Sequence, residues 1–216
     1  MNDLEILYED NHIIVVIKPS GILSQADDTN DEDMLSIIKK YLKEKYHKPG
    51  NVYLGLIHRL DRPVGGIMVF AKTSKAASRL SEQVRNKEFQ KNYLAIIHGT
   101  IEPSKGTLKD RIEKLPNQEV LLNTPNGKEA ILEYETIKVV NNDSLVKIHL
   151  LTGRYHQIRV QFASRNHPLY GDYRHGKKDN HELSLYAYQL SFKHPISREI
   201  MSFEHYPKGS EWDIFL

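Results

Sequence analysis

A single carboxylate, Asp61, stands in a connector whose residue types could support catalysis. The connector reads His58-Arg-Leu-Asp-Arg-Pro-Val-Gly-Gly66, so Arg59 and Arg62 flank the carboxylate. A guanidinium about 4 to 6 Å from an aspartate lowers the pKa of that aspartate and keeps it ionised, which suits a nucleophile or a base. An aspartate ahead of Pro-x-Gly is also ordinary turn chemistry, in which the side chain caps its own backbone. The residues alone leave both interpretations open.

A second group of polar residues, Thr152-Gly-Arg-Tyr-His-Gln-Ile-Arg159, comes between a predicted strand and a predicted helix. Guanidinium groups beside the backbone N–H groups of a helix start suit phosphate or carboxylate. The alternative is a hydrated helix start with Arg154 exposed to solvent. Tyr93, which follows Lys91 on a predicted strand, is a third candidate. For a lone strand tyrosine, packing in the core is the favoured role.

Several common catalytic and metal sites are absent from the sequence. It contains no G-x-S-x-G elbow, no Walker loop, no G-x-G-x-x-G fingerprint and no H-E-x-x-H motif. The 11 His show no ligand spacing and there is no Cys, so no metal site is predicted. His58-Arg-Leu-Asp61 is similar to a kinase catalytic loop, but no glycine-rich loop and no D-F-G motif accompany it. Phosphoryl transfer and a nucleotide cofactor are therefore not expected.

The apolar pattern predicts the elements that must position these groups. Helices are predicted after the acidic stretch 27–33, from Thr73 or Ser74 onward, and over 157–166. A turn at Asn141-Asn-Asp143 is expected to join two strands. The predicted strands are 13–17, 52–56, 67–71, 92–98, 130–140, 144–151, 183–192 and 200–205. Together they indicate one α/β or α+β domain with much antiparallel sheet.

Length and composition limit the class of protein. With 216 residues, 39% of them apolar and 27% charged, the chain is typical of one globular domain. No apolar run approaches the ~20 residues of a membrane span, so no membrane association is expected. The acidic start lacks the features of an export signal and Cys is absent, which favours the reducing cytoplasm and excludes disulfides.

The formal net charge of +2 conceals an uneven distribution. Residues 1–33 hold one Lys and nine acids, a net charge of −8. Residues 58–91 hold eight Lys or Arg and three acids, and residues 154–178 hold six and one, a net charge of +5 in each case. The two basic segments contain the candidate groups, although solvated helical faces would also explain them.

Taken in order, these segments resemble the RluA-like family of pseudouridine synthases, which isomerise uridine in structured RNA. Residues 58–66 are similar to the catalytic motif of the family, Lys91-Asn-Tyr93 to its second motif and residues 152–159 to its third. His167-Pro-Leu-Tyr-Gly-Asp172 is similar to the loop that follows. The similarity runs from about Leu4 to about Phe203 and therefore covers almost the whole chain.

The resemblance implies an α+β pseudouridine synthase fold, with a mixed, mainly antiparallel central sheet, flanking helices and a catalytic cleft. It implies that Asp61 is the catalytic carboxylate at a flipped uridine, that Tyr93 stacks on the base and that Arg159 pairs with Asp61. Arg59 would enter the space that the base leaves. Contacts with RNA are expected from Arg62, Lys91, Arg154, His156 and Gln157. The isomerisation needs no cofactor and no metal, which fits the absent motifs.

Because the resemblance begins near Leu4, we expect a single catalytic domain of residues 1–216 without an appended S4-type domain. The expected partner is ribosomal or transfer RNA, and a monomer is expected. Family members often carry Thr-Ser-Gly or Ser-Gly where this chain has Val64-Gly65-Gly66, and often His where Tyr186 stands. The alternative is thus a catalytically inactive RNA-binding or RNA-chaperone module of the same fold. A metal-dependent hydrolase or phosphotransferase that uses Asp61 is a third hypothesis.

Overall fold

The computed structural model describes residues 4–29 and 31–216. The described chain forms two compact units. The first unit comprises the described residues up to Phe89 together with Gln189–His205, and the second comprises Gln90–Tyr188 and Tyr206–Leu216.

Eleven strands and four helices are present in the described residues. In chain order they are β1 (Ile6–Glu9), β2 (Ile13–Lys18), α1 (Met34–Lys45), β3 (Gly55–Leu56), β4 (Gly65–Ala71), α2 (Ser74–Arg85), β5 (Gln90–Ile97), β6 (Lys105–Lys114), β7 (Val120–Leu122), β8 (Lys128–Val140), β9 (Asp143–Leu150), α3 (Gln157–Ala163), β10 (Leu185–Lys193), β11 (Ile200–Glu204) and α4 (Ser210–Phe215).

In the first unit the strands follow the order β1-β2-β4-β10, with β3 paired to β4 and β11 paired to β10. Every residue of β2 and of β4 is buried, as their continuous apolar runs predict. Ala76 and Leu80 of α2 pack against these strands in the core of the unit. Thr73 caps α2, since its side chain accepts a hydrogen bond from the backbone N–H of Ala76.

In the second unit the strands follow the order β5-β9-β8-β6-β7, and the residues of β10 up to Tyr188 also belong to this unit. The pairs β5–β9, β8–β9, β6–β8 and β6–β7 are all antiparallel. The β8–β9 hairpin turns at Asn141 and Asn142, whose φ angles are +50° and +69°. Asparagine tolerates this left-handed backbone better than most residues, which explains the turn sequence.

The predicted α+β class and the mainly antiparallel sheet are confirmed. Two predicted bounds were wrong: of the strand at 52–56 only Gly55–Leu56 pairs with β4, and the helix at 157–166 ends at Ala163. In the first case Val52 and Leu54 are buried but do not pair with another strand. The alternating apolar pattern at 52–56 therefore reflects buried side chains and not a full-length β-strand. The single domain of residues 1–216 stays a prediction. None of the helices in the described residues is both long and apolar enough to cross a membrane.

Candidate functional site

Asp61 lies in the first unit, in the connector between β3 and β4. Its side chain is half-buried, and its carbonyl oxygen accepts a hydrogen bond of 2.9 Å from the backbone N–H of Val64, which closes a turn. The chain then enters β4 through Gly66, whose φ of +130° is unfavourable for any residue with a Cβ. The glycines therefore permit the abrupt passage from turn to strand beside the carboxylate.

Lys18, the last residue of β2, supports this connector from the interior of the first unit. Its side chain is fully buried, and its Nζ donates hydrogen bonds to the carbonyl oxygens of Pro19, Ile22 and Arg62 at 2.9, 2.6 and 3.0 Å. Burial lowers the pKa of Lys18 to about 8, although the charge of Asp61 acts in the opposite direction. The buried ammonium thus fixes the residue that follows Asp61 and places positive charge near the carboxylate.

Ser24 fixes the residue on the other side of Asp61. Its Oγ donates a hydrogen bond of 2.7 Å to the carbonyl oxygen of Leu60 and accepts one of 3.1 Å from the backbone N–H of Leu60. Both Ser24 and Leu60 are buried. Because hydrogen bonds hold Leu60 and Arg62, the backbone of Asp61 is restrained from both sides.

The two arginines that flank Asp61 are exposed. The Nη1 of Arg62 lies 2.7 Å from a carboxylate oxygen of Asp31, and its Nε donates a hydrogen bond of 3.0 Å to the carbonyl oxygen of Gly21. Both side chains of this ion pair are about half exposed, at 48% and 47%. Such a pair contributes only ~0 to 1 kcal/mol. A phosphate can therefore compete with Asp31 for Arg62 at little cost.

Tyr93 and Lys91 lie on β5 in the second unit. Tyr93 is 7% exposed and sits opposite Ile148 of β9. Burial lowers the pKa of Lys91, and a Cβ placed on Gly153 would lie 3.6 Å from the Lys91 Nζ. Lys91 is therefore brought next to the segment of residues 152–159.

Arg159 on α3 is buried and forms a two-point ion pair with Asp172. Its Nε and Nη2 donate to the two carboxylate oxygens at 2.9 and 2.5 Å. Burial alone would raise the pKa of Asp172, but the hydrogen bonds and charge of Arg159 outweigh burial and lower it. This geometry fixes the plane of the guanidinium, in the way that planar recognition of anions requires.

Gln157 organises the loop ahead of α3. Its Oε1 accepts hydrogen bonds from the Thr152 Oγ and the Arg154 backbone N–H, at 2.8 and 3.0 Å. The Arg154 side chain is half-buried, and its Nε donates to the carbonyl oxygen of Glu129 at 2.8 Å. The expected alternative of a fully exposed Arg154 is therefore wrong, because the strand β8 supplies a carbonyl partner.

His156 has a left-handed backbone, with φ of +51°, and is 8% exposed. Its Nδ1 lies 2.7 Å from the Nε2 of His175. Burial, followed by the nearby charge of Arg159, lowers the pKa of His156 to about 3, so this imidazole is neutral at pH 7. His156 is consequently a rigid, uncharged part of the loop.

The predicted residues thus fall into two sets. Arg59, Asp61 and Arg62 share the braced connector of the first unit, and the others belong to β5 or to residues 154–159 of the second unit. No role was predicted for Lys18 or Asp172, which are fully buried charges that bond to candidate residues or their neighbours. The signal for Lys18 was a lysine that ends a continuous apolar strand.

A family model described as RNA pseudouridylate synthase matches residues 12–164, which include the connector, β5 and the segment 152–159. The chain belongs to this family. The RNA pseudouridylate synthase family therefore accounts for the order of the three motifs, and the RluA-like resemblance is confirmed.

Curated relatives match over most of this family member. An uncharacterised RNA pseudouridine synthase of Mycoplasma pneumoniae is 33% identical in an alignment of 209 positions, which covers 93% of this chain and 66% of the relative. The dual-specificity RNA pseudouridine synthase RluA of Haemophilus influenzae is 35% identical, and the match covers 93% of this chain and 91% of the relative. The chain thus spans about two thirds of the length of the Mycoplasma protein and nearly all of the Haemophilus protein.

A solved structure of human RNA pseudouridylate synthase domain containing 4 has the same fold as this family member. The TM-score is 0.80 at 22% identity, and the match covers 94% of this chain and 88% of the human chain. At this level of identity, the likeness supports the pseudouridine synthase fold.

Proposed function

We propose that this chain is an RNA pseudouridine synthase that isomerises uridine to pseudouridine in structured RNA, with Asp61 as the catalytic carboxylate. One observation carries the proposal. In a chain of this family, the aspartate of the catalytic motif lies on a connector that Lys18 and Ser24 restrain from both sides. Such restraint is what a carboxylate needs in order to meet one atom of a substrate.

The chemistry requires little beyond a well-placed carboxylate. The N1–C1′ bond of uridine breaks, a C5–C1′ bond forms, and the proton lost from C5 is balanced by the proton that N1 gains. Asp61 would either add to the sugar or remove a proton from it. A base in a helix must first leave its stack, at a cost of a few kcal/mol. Stacking on the ring of Tyr93, worth ~1 to 3 kcal/mol, would offset that cost.

The supporting residues have matching roles in this proposal. Arg59, which is exposed, would fill the space that the flipped base leaves in the RNA. Arg159 would support Asp61, and the ion pair with Asp172 supplies the fixed guanidinium plane that this role needs. Arg62, Lys91 and Arg154 would contact the RNA backbone. His156 and Gln157, at 8% and 3% exposed, would help by fixing the loop.

The proposed partner is ribosomal or transfer RNA. The Haemophilus relative is named for dual specificity, and a Buchnera relative that is 33% identical is named for the large ribosomal subunit. The names of these relatives thus favour an RNA substrate but do not identify the target nucleotide. A monomeric state, independence from cofactors and a cytoplasmic location remain predictions from the sequence.

The decisive experiment is pseudouridine mapping of total RNA from cells with the gene, without the gene, and with an Asp61→Asn copy. We expect at least one site to vanish without the gene and not to return with Asp61→Asn. Asp28→Asn, which changes an exposed aspartate of the same unit, should restore the site fully. Restoration by Asp61→Asn would contradict the assigned role of Asp61.

The same experiment separates the alternatives. If the wild type binds RNA but no site depends on the gene, the chain is the RNA-binding module suggested by the Val64-Gly65-Gly66 departure. If purified enzyme turns over only with a divalent metal and stops in chelator, the metal-dependent hypothesis replaces the synthase. Turnover that is unchanged in chelator supports the synthase.

A further inference from the structure

Tyr155, in the loop before α3, carries an aromatic ring that none of the assigned roles uses. The ring is half-buried and stacks on the imidazole of His156, with centroids 3.8 Å apart and planes inclined by 19°. His156 is itself held by its contact with His175. One face of the Tyr155 ring therefore lies against a fixed, neutral support.

Two cations from other elements approach the same ring. The Nζ of Lys114, at the end of β6, lies 4.2 Å from the ring centroid, and the Cζ of Arg174 lies 5.9 Å from it. Because the imidazole fills one face, the ammonium of Lys114 occupies the other. Lys114 and Arg174 are both exposed, and in residues 4–29 and 31–216 neither side chain forms an ion pair with a carboxylate.

We propose that Tyr155, Lys114 and Arg174 form an RNA-contact site of the second unit, in which an unpaired base stacks on Tyr155 while the two cations bind the adjoining phosphates. The proposal rests on the proposed function, since it assumes that RNA is the partner, and it adds a contact outside the residues assigned above. Within the described residues the Nη2 of Arg174 donates only to the carbonyl oxygen of Gln118, at 2.6 Å, so its charge is available to a phosphate. An aromatic ring beside exposed cations suits the binding of single-stranded nucleic acid.

The relative strengths of the contacts favour a base over the resident lysine. A solvent-exposed contact between a cation and a ring is worth only about 2- to 5-fold in an equilibrium constant. Stacking of one base on an aromatic side chain is worth about 5- to 150-fold. The displaced ammonium of Lys114 also gains a phosphate partner in place of the ring. Binding of a base therefore exchanges a weak contact for two stronger ones.

The test measures binding of two labelled probes, an RNA hairpin with an unpaired loop and a blunt RNA duplex, by full-length protein at several salt concentrations. Tyr155→Ala should weaken hairpin binding by about 5- to 150-fold and leave duplex binding within about twofold. Tyr155→Phe keeps the ring and should match the wild type on both probes. Lys114→Ala and Arg174→Ala should each reduce the slope of log affinity against log salt by about 0.7 to 0.9.

Lys105→Ala is the matched control, because Lys105 is an exposed residue of the same strand β6 but pairs with Glu135 at 2.6 Å. It should leave the slope unchanged. The proposed site is refuted if Tyr155→Ala binds the hairpin as tightly as the wild type does, or if it loses the same affinity for the hairpin and for the duplex. If Tyr155→Ala does not fold by circular dichroism, the two cation variants decide, and unchanged slopes in both reject the proposal.

Pseudouridine formation by the wild type is measured separately, so that the two proposals fail independently. If the wild type is active but RNA binding is unaffected by the substitutions of Tyr155, Lys114 and Arg174, the contact site alone is refuted. An inactive wild type whose hairpin binding depends on Tyr155 refutes the synthase activity and retains the contact site.

Discussion

Replacement of Asp172 by asparagine would test whether the buried ion pair is what holds Arg159. The Asp172 side chain is completely buried and the Arg159 side chain is 8% exposed, with two hydrogen bonds of 2.9 and 2.5 Å between them. Asparagine has nearly the same shape but no charge, and its amide retains only one acceptor oxygen. The variant would therefore remove the carboxylate charge and one of the two acceptor oxygens that the buried guanidinium of Arg159 contacts.

The expected loss is large. Removing one partner of a buried ion pair costs about 3 to 5 kcal/mol of unfolding free energy. For a chain of 216 residues, each kcal/mol lowers the Tm by about 2 to 4 °C, so Asp172→Asn should lower it by about 6 to 20 °C. Glu135→Gln, which removes the exposed Lys105–Glu135 pair, should cost no more than about 1 kcal/mol.

Urea denaturation and thermal scans at a series of pH values would measure both variants. Because the pKa of Asp172 is lowered in the folded state, the pair contributes fully above the unfolded pKa of about 3.9 and loses its contribution as the pH falls through the folded pKa. The difference between wild type and Asp172→Asn should therefore shrink in acid. A difference below about 1 kcal/mol at pH 7, or one that stays constant in acid, would refute the reasoning.

Three further perturbations have directions fixed by the structure. The pKa of Lys18 is about 8 in the folded chain and about 10.5 in the unfolded chain, so the unfolded chain binds the proton more tightly. Between these pH values the stability of the wild type should therefore rise relative to Lys18→Met by up to about 1.4 kcal/mol per pH unit. Parallel pH profiles of the two proteins in urea denaturation would contradict this. Burial alone would raise the pKa of Glu9, but hydrogen bonds from two lysines and two tyrosines lower it to about 2. Glu9→Gln should therefore lower the free energy of unfolding by about 1 to 3 kcal/mol at pH 7, and this loss should disappear as the pH falls from 4.5 towards 2. A loss that stays undiminished in acid would contradict this. Gly171→Ala places a Cβ against the backbone of Glu182 at a φ of +67°, so the Tm should fall by at least about 4 °C, and a fall of less than 1 °C would show that this close approach is unimportant.

Strands with continuous apolar sequence could be predicted well, because such a run indicates a strand that is buried on both faces, whichever strand it pairs with. Residues 13–17 and 67–71 became β2 and β4 with shifts of one or two residues. Strand β6 escaped prediction because only Leu108 and Ile112 of its ten residues are buried apolar side chains. Their spacing of four also fits a helix, and the pairing with β8 that makes this segment a strand lies outside the local sequence.

The candidate site could be predicted as motifs but not as a set of contacts. The residues of the connector and of 152–159 were found because their order matches a family. The structure adds the partners: Ser24 for Leu60, Gln157 for Thr152, and Asp172 for Arg159. Each pair joins residues 5 to 36 positions apart, and a single sequence contains no signal for which polar side chains will meet in the folded chain.

The two units are interleaved along the chain, and this order has a consequence for protein synthesis. The core of the first unit packs Ile13, Val15 and Ile67 with Leu190 and Phe192, so its last apolar residues are translated more than 100 positions after Phe89. At about 5 to 20 residues per second, these residues are made roughly 5 to 21 seconds after Phe89. During that interval the edge that β10 will cover is available to any other extended segment.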